Sequence, residues 1–403
     1  MFTTRVSRMA QATLTLIAAA AVLVACGGSN NEADAGADPA VPFAGPLSAD
    51  MPMAKSYDNA AKAFADSTDN PILKWHYRVW CVTGYRSPGD AGTGQVVDLP
   101  PDPSQDQVSP LGFNHSRTLG QTIFTGGGKF LDNAWYFGTD YTGMVIVRLP
   151  DGSLVMLDAL TTSADMQRQV LDQMAAAGLD VTKVKYIFIG HEHGDHYGGV
   201  DLVKQKAPGA IVVSTKIAAD TIAAARSRAE TRVYTGTPTE QAAAKASALL
   251  NIPARIDIQI DAAAGLTTGI RRIPLATNVE AVAMLAPGHT PGQMHVILPV
   301  VHRGVTRKLF VWSGNDQPSQ ADQYALSTDF VGAIAFNEGA DAFINTHSYQ
   351  GAMFAQIRKL VADPASPNAL LMGKQGVQRY MGIFANCQRA VAERLRDGTW
   401  KTF

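Results

Sequence analysis

Two short apolar runs, 144–149 and 154–157, flank Pro150-Asp151-Gly152. An Asp-Gly turn between apolar runs predicts a β-hairpin. From 163 the period lengthens. Met166, Val170, Leu171 and Met174 share one helical face, Ser163 suits the N-cap and Gly178 the stop, so the spacing predicts a helix over 163–177. The run 184–189 reads as a buried strand and opens directly into a cluster of histidines. Further apolar runs of strand length lie at 210–214, 279–285, 294–298, 309–312 and 342–344. Helical spacing recurs over 215–228, 239–250, 351–361 and 376–396. The last of these carries Arg394 and Arg396 in its final turn and Gly398 beyond it, as the helix dipole favours. Residues 215–250 are Ala-rich with scattered charges, which predicts a solvated cover rather than a membrane-lying helix. Strands and helices interleave without a short repeat, so the fold class is α/β or α+β.

The pattern ahead of residue 119 is different. Arg5 and Arg8 precede an apolar run, 14–25, that is too short for a comfortable membrane span. It ends in Leu23-Val24-Ala25-Cys26, which resembles the bacterial lipoprotein signal-peptidase box. That resemblance implies a signal peptide over 1–25, lipidation of Cys26 and an exported protein anchored by lipid on the periplasmic or cell-surface side of a membrane. The alternative is an ordinary secretory signal with a chance cysteine. Residues 26–56 are small, acidic and nearly free of bulky apolar side chains, which predicts a flexible tether. Residues 57–118 form an N-terminal extension: a short helical pattern, the aromatic run from Trp75 to Cys81, then a Pro/Gly/Asp-rich stretch. The main domain is expected over 119–403.

Composition narrows the function. With 46% hydrophobic and 17% charged residues among 403, the chain can bury a sizeable core. The formal net charge is -1 and no basic block occurs, so nucleic-acid binding has no electrostatic support. Nothing in the sequence specifies an oligomeric state. Two cysteines remain beyond Cys26, namely Cys81 and Cys387. In the oxidising compartment that export implies, such a pair is expected to be bridged. The alternative is two separate buried thiols.

The chemistry concentrates in Gly190-His191-Glu192-His193-Gly194-Asp195-His196-Tyr197-Gly198-Gly199. It follows a strand, so it is a loop at a strand's C-terminal end. Three imidazoles and one carboxylate within six residues can converge there, and zinc favours imidazole nitrogen with carboxylate oxygen as the alternative. His191 and His193 can chelate one ion, while Asp195 and His196 face a second. His289, in Pro287-Gly288-His289-Thr290-Pro291-Gly292, and His347, in Asn345-Thr346-His347, also follow strands. They complete two sets: His191, His193 and His289 for one Zn²⁺, and Asp195, His196 and His347 for the other. Each ion would keep an open position, as hydrolysis requires. His76, His115, His295 and His302 are left as ordinary packed or surface histidines. Asp158, at a strand end, is expected to orient a metal-bound imidazole. Tyr197 and Tyr349 adjoin ligands and are candidates to hydrogen-bond a substrate carbonyl, with simple aromatic packing the alternative for each.

At these motifs the sequence resembles the metallo-β-lactamase superfamily, and within it the third subclass of class B, which pairs a three-His site with an Asp-His-His site. Residues 131–139 look like that family's opening strand, and 154–158 like its second strand with an acidic end. Residues 373–380 and Cys387 resemble the terminal helix of an exported branch that also carries a Cys near Cys81. The resemblance covers about 119 to 397 and is weaker from 57. It implies an αβ/βα sandwich with the site at the sheet edges, two zinc ions per chain and a small-molecule carbonyl substrate. A β-lactam amide, a lactone and an ester all suit such a site, with Asp195 directing the attacking water. A surface zinc-binding protein without turnover is the reading from another class. One departure concerns Trp312-Ser313-Gly314-Asn315-Asp316. Many superfamily hydrolases place a metal-bridging Asp after that Gly; here Asn315, a poor bridge, takes the position, so no bridging carboxylate is expected and Asn315 is a candidate to orient a ligand or contact substrate, although a one-residue shift would put Asp316 there.

Overall fold

A computed structural model of the chain describes residues 52–77, 81, 128–138, 142–314, 320–347 and 353–396. Its first sheet has seven strands in sequence order. These are β1 (Gly128–Leu131), β2 (Ala134–Gly138), β3 (Gly143–Arg148), β4 (Leu154–Leu157), β5 (Val184–Phe188), β6 (Ile211–Thr215) and β7 (Ile258–Ile260). The 144–157 hairpin forms as β3 and β4, paired antiparallel through Val147↔Val155. From β4 to β7 the strands run parallel. The second sheet holds β8 (Gly269–Ala276), β9 (Val279–Leu285), β10 (Met294–His302), β11 (Val305–Trp312) and β12 (Ala342–Asn345) in the order β12-β11-β10-β9-β8.

The first sheet is apolar on both faces, and strand alternation sends its residues into two cores. Tyr136, Val145, Val155, Leu157 and Phe188 join Ala283, Leu285, Val296 and Leu298 of the second sheet in one buried cluster. Trp135, Met144, Ile146, Met156 and Ile187 point the other way. They pack on Met166, Val170, Met174, Val200 and Val203, carried by helices α3 (163–176) and α4 (Val200–Lys206). Two sheets face to face with helices outside give the αβ/βα sandwich. The register Leu157↔Phe188 puts Asp158 at the end of β4, where its carboxylate reaches Gly190 just past the end of β5.

Local chemistry adjusts several expectations. The opening segment 131–139 is not one strand: Asp132 and Asn133 form a tight turn between β1 and β2. Their polar side chains are used there. Asn133 Oδ1 accepts from Val301 N–H at 2.7 Å, and Asp132 Oδ2 accepts from Gly304 N–H at 3.0 Å. The N-cap of α3 is Thr162, whose hydroxyl accepts from Asp165 N–H at 3.0 Å. Ser163 instead begins the helix and donates to Asn251 Oδ1 at 2.9 Å. Three elements escape the sequence pattern, the short β7 among them. Strand β8 is an edge strand with exposed Arg271, Arg272 and Pro274. Helix α7 (Ala321–Glu338) buries small residues such as Ala325, Thr328, Gly332 and Ala335, so its apolar face has little contrast. The helices expected over 215–250 are α5 (Lys216–Thr231) and α6 (Pro238–Leu250), and no residue of α6 is buried.

The N-terminal helices α1 (Pro52–Asp66) and α2 (Pro71–Tyr77) lie with α9 (Gly373–Arg396); α8 (Met353–Ala362) precedes it. Helix α1 begins inside the stretch expected as tether, with Pro in the favoured first helical position. Asp58 pairs with the buried Arg394 of α9, and Asn70 Nδ2 donates to Ala369 O at 2.9 Å. Cys81 and Cys387 are bonded, with Cα atoms 5.2 Å apart across 306 residues of sequence. Closing so long a loop restricts the unfolded chain, and losing such a bridge typically costs about 2–5 kcal/mol. Cys81→Ser with Cys387→Ser is therefore expected to lower Tm in calorimetry. An unchanged Tm, or two free thiols in non-reducing peptide maps of exported protein, would count against the bridge.

Candidate metal centre

All six donors meet at the C-terminal ends of their strands. The loop after β5 carries His191 and His193, and a single 3₁₀ turn, Gly194–His196, places Asp195 and His196. The loop after β9 brings His289, and the end of β12 brings His347. Close approach decides the glycines here. A side chain at Gly190 would run into Ser313, and one at Gly198 into the Thr161 carbonyl.

The first set is nearly equilateral. Ring centroids of His191, His193 and His289 stand 4.7 to 4.9 Å apart and meet edge to face. His193 Nδ1 lies 3.0 Å from His289 Nε2. In the second set, His196 Nε2 is 3.1 Å from His347 Nε2 and 3.4 Å from Asp195 Oδ2, and His347 Nε2 is 3.8 Å from the same oxygen. Donors at zinc distances of roughly 2.0–2.2 Å in a tetrahedron are separated by about 3.3 Å. His191 stands between the sets, its ring 3.9 Å from that of His196.

Orienting contacts choose which nitrogen faces inward. His191 Nδ1 is 2.9 Å from Ser313 Oγ, and its Nε2 is buried with no hydrogen-bond partner among the described residues. Such an atom costs about 1–3 kcal/mol unless something binds it. Asp158 is 1% exposed; Oδ1 accepts from Gly190 N–H and Oδ2 holds His196 Nδ1, both at 2.7 Å. It thus bridges the end of β5 and the His196 ring. Its φ of 74° lies in the left-handed region, which Asp tolerates better than most residues.

Electrostatics agree with a cation site. Burial, then neighbouring imidazoles, push His191 and His289 well below the usual histidine range. Burial also lowers His193, against the pull of Asp195. Burial would raise Asp195, but the attraction of His196 and His347 outweighs it and holds the carboxyl far below the usual range. For His196, burial is overcome by Asp195 and Asp158, which push it up to about 10. A metal would replace that proton. The neutral nitrogens of His191, His193 and His289, an ionised Asp195 and an orphaned buried Nε2 together fit a divalent metal.

Tyr197 is 9% exposed, and burial followed by Asp195 raises its pKa, so it packs beside the site. Asn315, Asp316 and Tyr349 lie outside the described residues, as does Cys26. Several functional residues carry no plain signal in the sequence. Glu192, between two donors, accepts from Thr290 Oγ1 at 2.8 Å and Gly292 N–H at 3.0 Å, strapping the two histidine loops together. Thr142 Oγ1 donates to Asp195 Oδ2 at 3.3 Å. Ser313 contacts His191 across 122 residues, and only the polarity of Ser313 in an apolar strand end could have suggested it. His295, left as ordinary, is buried behind the site, where its Nδ1 accepts from Ser313 N–H at 3.3 Å and burial lowers its pKa to about 3.

Residues 138–302 match the family model of the metallo-beta-lactamase superfamily. Several solved structures align with the chain. A Cronobacter sakazakii metallo-beta-lactamase with a HARLDQ motif aligns with a TM-score of 0.51 and 18% identity, over 70% of this chain and 98% of that one. BJP-1, a subclass B3 metallo-beta-lactamase of Bradyrhizobium japonicum, aligns at 0.49 and 17%, over 70% and 96%. SMB-1, a metallo-beta-lactamase solved with mercaptoacetic acid, aligns at 0.48 and 20%, over 69% and 97%. The family match ends before His347, which the fold itself brings to the site.

Proposed function

We propose that the chain is a zinc-dependent hydrolase of a small carbonyl substrate. The observation that carries this is the gathering of His191, His193 and His289 in one group and of His191, Asp195 and His196 in another, with His347 Nε2 3.1 Å from His196 Nε2 and the His191 and His196 rings each held at Nδ1. His191, His193 and His289 would hold one ion, and Asp195, His196 and His347 the other, in the manner of subclass B3. When bound, two zinc ions polarise a carbonyl and lower the pKa of water toward neutrality. The protein supplies the rest. Asp158 keeps His196 in the tautomer with a free Nε2. Thr142 steadies Asp195, which is half-buried and can accept a hydrogen bond from the attacking water, fixing its direction. Glu192 keeps the His193 and His289 loops together.

The solved relatives are described as metallo-beta-lactamases, which makes a β-lactam amide the first substrate to try. Lactones and esters satisfy the same chemistry. Screening the zinc-loaded full chain in detergent against nitrocefin, a homoserine lactone and an aryl ester separates these readings. Turnover of none by a chain holding two zinc ions would favour a zinc-binding protein without catalysis.

We also propose that the protein is exported and attached to a membrane through lipidated Cys26, from the Leu23-Val24-Ala25-Cys26 box. Among the described residues no helix is long and apolar enough to cross a membrane. A single acyl chain binds membranes only marginally, whereas several anchor stably. Cys26→Ser should move the protein to the soluble fraction after cell fractionation. Wild-type protein already soluble after osmotic shock would contradict the anchor.

A further inference from the structure

His347, like His289, is steadied at its backbone N–H by a side-chain amide oxygen. His191 and His196 are oriented at Nδ1, by Ser313 and Asp158. His347 is held at its backbone, where its N–H donates to Asn345 Oδ1 at 2.8 Å. Asn345 is fully buried, and its side chain also hydrogen-bonds the Tyr380 hydroxyl. Tyr380 belongs to α9 and is fully buried as well. Its ring packs against Phe343 of β12 with centroids 4.0 Å apart. On another side it stacks on His76 of α2 at 3.7 Å, with the planes 18° from parallel. Beyond α2, Cys81 is bonded to Cys387, about two turns along α9 from Tyr380. A continuous buried path thus joins the N-terminal helices to the second donor set.

We propose that Tyr380, backed by His76, is a positioning residue for His347. Its hydroxyl fixes the Asn345 amide, the amide fixes the His347 backbone, and the backbone sets where Nε2 stands relative to Asp195 and His196. The segment before the metallo-beta-lactamase domain, far from the site in sequence, is on this view part of what shapes the second metal position. Outer partners of metal ligands typically change metal affinity by about 10–100-fold, and one acting through a backbone contact belongs at the lower end. This inference rests on the zinc reading above.

The test is a double-mutant cycle in the full chain, read as zinc affinity by chelator competition. In a His289→Ala background the intact set is Asp195, His196 and His347. There Tyr380→Phe, which keeps the stacked ring and removes the hydroxyl, should weaken zinc binding by about tenfold. In a His347→Ala background the same change should leave zinc affinity unaltered. Tyr186→Phe is the control for losing a buried hydroxyl: its partner is the Pro274 carbonyl, at 2.7 Å. It should leave zinc affinity alone in both backgrounds. If Tyr380→Phe does not fold, His76→Leu removes the backing ring and should shift the first background alone, by a smaller factor. An equal effect of Tyr380→Phe in both backgrounds, or no effect in either while wild type holds two zinc ions, overturns the proposal. A wild-type chain that takes up no zinc overturns the underlying zinc reading as well.

Discussion

His347→Ala is expected to remove the second metal position and lower turnover of any identified substrate by more than about a hundredfold, beyond what loss of an orienting partner costs. The side chain is 1% exposed, and its Nε2 lies within 3.8 Å of Asp195 Oδ2 and 3.1 Å of His196 Nε2. Two donors remain, so some zinc should still bind, weakly. The three-His set does not use His347, and its ion should stay. Zinc per chain should therefore fall from two toward one in folded protein, and excess zinc should restore activity only in part. His289→Ala should give the mirror result at the first position. His302→Ala, at the far end of β10, should change neither. Full activity in His347→Ala would remove the basis for a two-ion site.

Asp158→Asn should have the next largest effect, about 10–100-fold in affinity at the second position. The substitution preserves shape. Asn also tolerates positive φ, so the backbone at 74° is not strained further. Its oxygen can still accept from Gly190 N–H. Its amide group, however, would present a donor to His196 Nδ1, where the carboxylate now accepts at 2.7 Å. The imidazole would then shift its proton to Nε2, the nitrogen that faces the site, and a protonated nitrogen cannot ligate a metal. The three-His position should keep its affinity. Asp158→Ala is the less informative variant, because it adds strain at the left-handed backbone to the loss of charge. Unchanged zinc affinity in a folded Asp158→Asn variant would show that the carboxylate does not set the tautomer.

The six candidate donors could be singled out because each follows an apolar strand. That is a local pattern, and His191, His193, Asp195 and His196 share one loop. The hairpin of β3 and β4 and the helix α3 were readable for the same reason, down to turn and stop residues. What supports the donors was not legible, since those contacts join distant segments: Ser313 to His191 over 122 residues, Asp158 to His196 over 38, Thr142 to Asp195 over 53. Among these Asp158 alone was anticipated, from its place at a strand end. Tyr380 and Asn345 sat in segments that read as a terminal helix and a strand, with nothing local to connect them. Helix α7 went unread because tight packing against α9 selects small residues along its buried face, such as Gly332, where any side chain would press on Met381. The turn at Asp132-Asn133 was missed inside an otherwise strand-like run, although both residue types favour turns.

The most direct test is the zinc content of the folded full chain, measured by native mass spectrometry after metal removal and stepwise zinc addition. Two ions per chain are expected. Tm should rise with zinc, because a ligand that binds only the folded state stabilises it, and because the buried His191 Nε2 gains a partner. A folded chain that stays metal-free in excess zinc, with no change in Tm, would contradict the assignment of all six donors.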